Sequence, residues 1–141
     1  MFYFSCIIKT NSSYVKGLSI MNYHPQLIVM LTQVFDMCKH SKAKFWGFKE
    51  EPLPLPQMKS LYTYMKEYGK TTFLEVVAYT EKECLKGAKM AVECGCDILI
   101  GTMFFDSVNQ FCKENHLKYM PFVGKITNRP SILEGNIEEM I

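Results

Sequence analysis

A glutamate inside an otherwise apolar run, and two lysines that close such runs, are the side chains of this sequence best placed for chemistry. Glu75 lies within Phe-Leu-Glu-Val-Val-Ala-Tyr, Lys49 follows Phe-Trp-Gly-Phe, and Lys125 follows Met-Pro-Phe-Val-Gly. A carboxyl drawn into an apolar strand loses hydration of its charged form, so its pKa rises toward the range of a general base. The competing expectation is that Glu75 simply pairs with Lys49 from the neighbouring strand. A lysine at the end of a strand can form a Schiff base with a carbonyl substrate, or hold a phosphate as a point charge. Otherwise it is a solvated loop lysine. Glu50 follows Lys49 and belongs to the same rim. Thr102 after Asp-Ile-Leu-Ile-Gly, and Gly124 before Lys125, mark strand ends where a substrate can approach the backbone. Arg129 and Lys125 flank the loop Ile-Thr-Asn-Arg-Pro-Ser, which is either an anion-holding loop or plain surface.

Other chemistries lack their residues. No GxGxxG or GxxxxGK[ST] pattern is present, so nothing points to a nucleotide, and no motif calls for a cofactor. His24, His40 and His116 have no metal-ligand spacing, and no GxSxG elbow presents a nucleophile. Cys94-Gly95-Cys96 matches neither a zinc knuckle nor a redox pair, and reads as structural. The six cysteines fall mostly in helical or strand patterns, which suits thiols in a reducing cytoplasm better than a disulfide framework. A formal charge of +2 with scattered lysines leaves no nucleic-acid footprint. No apolar run reaches the roughly 18 residues of a membrane span, and the start lacks the charge and cleavage pattern of a signal peptide.

The elements that must carry these residues alternate. Apolar strands are predicted at 26–31, 44–50, 72–79, 97–102 and 118–126, with helical patterns between them. The helix at 55–68 has Pro56 in its first turn, an apolar stripe of Met58, Leu61, Tyr62, Met65 and Tyr68, and Gly69 to end it. The next opens on a Thr80–Glu83 capping box and stops at Gly95, and a third begins at Asp106. Asn136 with Glu139 signals a further helix start. Such runs, buried on both sides, predict an α/β fold with a parallel sheet of the (β/α) TIM-barrel type. About five units are expected over residues 21–141, an incomplete barrel beside the ~250 residues of a full one. Residues 1–20 show no clear period. Either the native start is Met21, or they form an ordinary N-terminal strand or cap.

The stretches Phe73–Thr80, Asp106–His116 and Tyr119–Gly124 resemble the central units of phosphate-binding TIM barrels of the ribulose-phosphate-binding type. The local likeness is to 2-keto-3-deoxy-6-phosphogluconate aldolases, which carry a similar Leu-Glu-Val strand before a Thr-led helix. The resemblance implies proton transfer by Glu75 and a small phosphorylated sugar or keto acid as the ligand. It also implies a Schiff-base lysine in a Lys-Phe-Phe-Pro motif and a phosphate site on later strands, neither of which has a counterpart in this sequence. Lyase or isomerase chemistry is the expectation if the barrel is completed. The alternative is a truncated, non-catalytic half-barrel whose open sheet edges favour assembly with another chain, including a second copy.

Overall fold

A computed structural model describes residues 7–10, 13–16, 26–50, 53–127 and 132–140. A short antiparallel hairpin, β1 (Ile7–Thr10) and β2 (Ser13–Lys16), lies within the region where the sequence shows no period. Helix α1 (Gln26–Cys38) follows. Three strand–helix repeats then run β3 (Phe45–Lys49), α2 (Leu55–Glu67), β4 (Thr71–Ala78), α3 (Glu81–Cys94), β5 (Ile98–Thr102) and α4 (Asp106–Glu114), and β6 (Lys118–Met120) completes the set. Beyond it, β7 (Lys125–Thr127) and β8 (Ile132–Glu134) form a second hairpin, and Ile137–Met140 make one 3-10 turn.

Strands β3 to β6 pair in parallel and in sequential order. Right-handed crossovers between sequential parallel strands all fall on one side of the sheet. Accordingly α2 packs on α3 and α3 on α4, a single helical layer over one face. The core lies between that layer and alternate strand residues. Phe48, Leu74 and Leu99 have no exposed surface, and Tyr62 of α2 stacks on Phe48 at 4.6 Å. The Tyr62 hydroxyl donates to the Phe73 carbonyl at 2.8 Å, which satisfies the one polar atom it brings into the core.

The predicted α/β alternation is present in this four-stranded parallel sheet. Two predicted strands are corrected. Residues 26–31 are the first turns of α1, so the described residues hold three repeats and a final strand rather than five units. A short apolar run carries no period of its own. What decides it is the continuation, in which Ile28, Leu31, Phe35 and Cys38 recur at helical spacing. Phe35, wholly buried, meets Trp46 edge-on at 5.1 Å. The strand expected over 118–126 stops at Met120; the Phe122 N–H still reaches the Thr102 carbonyl at 2.8 Å, and the chain then bends away at residues 123–124. The helix signalled by Asn136 is only the 3-10 turn.

The expected end signals hold α2 and α3. Pro54 precedes α2 as its N-cap, and Gly69 follows it with φ 69°. Thr80 Oγ1 accepts from the Glu83 N–H at 3.4 Å and donates to the Glu83 carboxylate at 2.8 Å. Among the described residues, no helix is long and apolar enough to cross a membrane.

Candidate functional site

The face of the sheet opposite the helices carries the charged strand residues. Alternation along β4 sends Leu74 and Val76 into the helical core and leaves Phe73 and Glu75 on the other side. Register then places Lys49 directly beside Glu75 on β3 and Ile100 beside it on β5, with Met120 of β6 completing the row. Lys49 and Glu75 are thus neighbours across one ladder, but their side chains form no ion pair. Burial raises the Glu75 pKa above the ordinary carboxyl value, and the nearby Lys49 ammonium opposes that rise without cancelling it.

The sheet is locally irregular around this carboxyl. The β4–β5 register shifts between Glu75 and Ala78, and Gly101 opposite takes a left-handed φ of 84°. A Cβ at Gly101 would come within 3.2 Å of both Glu75 Cγ and the Val76 carbonyl oxygen. Gly101 therefore leaves room beside the Glu75 side chain, and a side chain there would crowd its Cγ.

The remaining predicted site residues scatter. Glu50 is half-buried directly after Lys49, and its N–H bonds the Glu75 carbonyl at 3.0 Å. Thr102 is fully buried in register with Ala78. Its hydroxyl donates to Tyr119 Oη at 2.9 Å, and Tyr119 donates in turn to the Met103 carbonyl at 2.8 Å. That chain ties β5 to β6 and takes the Thr102 hydroxyl away from any substrate. Gly124, expected at a strand end, sits in the link between β6 and β7 with φ 66°. Lys125 does not close a parallel strand but opens the antiparallel β7. Arg129 lies outside the described residues.

The described cysteines are free thiols. Burial pushes Cys94 up to about 11, Cys96 up to about 12 and Cys112 up to about 11, so they pack as small apolar groups. No group of three or more potential metal ligands gathers among the described residues.

Sequence reasoning missed a second polar cluster, at the opposite end of the sheet where the strands begin. Asp97 accepts from the Lys66 ammonium at 2.7 Å, and from the Thr72 N–H and hydroxyl at 2.7 and 2.9 Å. Burial alone would raise the Asp97 pKa, but these bonds outweigh it and hold the carboxyl below its ordinary value. Lys70, nearly buried, donates to the carbonyls of Ser41 and Ala43 at 3.0 and 2.9 Å. The signal was present: Lys44, Lys70 and Asp97 stand just before β3, β4 and β5. A separate apolar hollow of about 380 Å³ lies between α1 and α2, lined by Ile28, Pro56 and Leu61 among others, and includes none of these charged groups.

No protein-family model, curated protein or solved structure matches this chain.

Proposed function

We propose that the face opposite the described helices is a proton-transfer site for a small phosphorylated sugar or keto acid, built on a fold of the (β/α) TIM-barrel kind. Four parallel strands in sequential order, with helices along one side, are an arc of the sort such barrels close from. The observation that carries the reading is Glu75, a carboxyl with a raised pKa beside an ammonium group, both on the face opposite the described helices.

In this scheme the Glu75 carboxylate removes the proton α to a substrate carbonyl. The electron pair of that C–H bond becomes the C=C bond of the enolate, the carbonyl π pair moves onto the oxygen, and the proton rests on the carboxyl. The Lys49 ammonium stabilises the developing negative oxygen. Alternatively, the Lys49 amine condenses with the carbonyl, releasing water, and the resulting Schiff base acidifies the same proton. Return of the proton to the neighbouring carbon of an α-hydroxy carbonyl, with the hydroxyl proton passing between the two oxygens, gives isomerisation. A lyase instead has the Glu75 carboxylate take the proton of a β-hydroxyl, whose electron pair forms a new C=O as the Cα–Cβ bond breaks and its pair passes into the enolate.

Exchange of the pyruvate methyl protons in D2O, followed by proton NMR, tests the scheme. The wild-type chain should exchange them faster than buffer, and Glu75→Gln should fall to the buffer rate. Borohydride added with pyruvate should leave a reduced adduct on Lys49 if the Schiff base forms, and no adduct leaves only the electrostatic role. Wild-type exchange at the buffer rate overturns the proposal.

A second reading rests on the apolar residues of the same face. Phe45 is 38% and Met120 59% exposed. They suit a surface covered by another chain, with no chemistry of its own. Size-exclusion chromatography with light scattering separates the readings, because a monomer at all concentrations removes assembly with a second copy.

A further inference from the structure

Helices α2, α3 and α4 end in the same turn. Gly69, Gly95 and His116 occupy equivalent positions with φ of 69°, 72° and 55°. Each donates its N–H to a carbonyl three residues back, Lys66 at 2.9 Å, Val92 at 2.9 Å and Lys113 at 3.2 Å. The following N–H reaches five back, from Lys70 to Met65, Cys96 to Ala91 and Leu117 to Cys112. Glycine adopts this left-handed position without penalty, and a residue with a Cβ does not. His116 is the single non-glycine among the described residues with a positive φ. The third turn therefore carries a strain that the first two avoid, which calls for a reason beyond closing a helix.

All three turns open onto the end of the sheet where the strands begin. There Lys66, Lys70, Thr71, Asp97, His116 and Lys118 line a hollow of about 510 Å³. Asp97 is the one acid in this set, and its charge is matched by Lys66. Lys70 holds two carbonyls and keeps a third N–H. The exposed His116 imidazole and Lys118 ammonium make no hydrogen bond or ion pair with any described residue. The charge left over is positive, and a concave wall concentrates its field. A lysine in the last turn of α2 is explained by the helix dipole, but Lys118 lies on a strand and has no such explanation.

We infer that this hollow binds a small oxyanion, a phosphate or carboxylate group, between His116 and Lys118, with the remaining Lys70 N–H as a further donor. The site is separate from Glu75 and does not depend on its role.

Titration of isotope-labelled protein with inorganic phosphate, and separately with acetate, tests the inference at slightly acid pH and chloride-balanced ionic strength. The His116 ring and Lys118 backbone resonances are the readout. Saturable shifts in the millimolar range are expected, and the anion that produces them says which group the hollow takes. His116→Gly should fold with a higher Tm, since it relieves the turn, and should weaken binding several-fold. Lys118→Met should weaken binding without raising the Tm. Shifts that follow ionic strength alone overturn the inference, as does a His116→Gly variant that binds as tightly as the wild type.

Discussion

The two faces of the parallel sheet are made from the same strands and do different work. On the helical side, Phe48, Leu74 and Leu99 are wholly buried against α2 and α3, and the Tyr62 and Thr102 hydroxyls are bonded. On the other side, Lys49 and Glu75 share a row with Ile100 and the exposed Met120. Alternation along a strand explains how both can come from one apolar run. The difference teaches that stability resides on one face, which frees the other to hold a carboxyl whose ionisation is disfavoured.

The contrast is most easily broken on the helical side. Leu74→Ala should cost about 2–5 kcal/mol and lower the Tm by roughly 2–4 °C for each kcal/mol, read by thermal unfolding. Met120→Ala, one row along on the open face, should stay within about 0.5 kcal/mol in the same experiment. Comparable losses at the two sites would erase the distinction between the faces. A smaller effect is expected at the polar pin between α2 and the strands. Asp97→Asn should cost about 1 kcal/mol at neutral pH, allowing for the solvent that reaches the side chain. The Asp97 pKa is lowered on folding, so its contribution is present above the unfolded pKa and disappears as pH falls through the folded one. Denaturant unfolding should therefore show the two proteins converging in acid.

How much of this was legible depended on whether the decisive interaction was local. The Thr80 cap, Gly95 and the stripe from Met58 to Met65 follow from residues within a few positions of one another, and all stand as the sequence suggests. The run at 26–31 has no period of its own, and it reads as helix only together with Phe35 and Cys38 beyond it, of which Phe35 packs on Trp46. The Lys49–Glu75 adjacency could be suspected from two strands, but its register could not. Thr102 was assigned to substrate because nothing local reveals Tyr119 as its partner. The strained His116 was visible only by comparing three helix ends, and the hollow it borders needed the fold to exist at all.

The central claim is that Glu75 occupies an environment that disfavours its charge, tempered by Lys49. A carbon-13 NMR pH titration of the Glu75 carboxyl in the wild type and in Lys49→Met tests it most directly. The account predicts a wild-type pKa above the ordinary glutamate value, and a higher one still when the lysine charge is removed. An ordinary pKa that ignores the loss of Lys49 would contradict it.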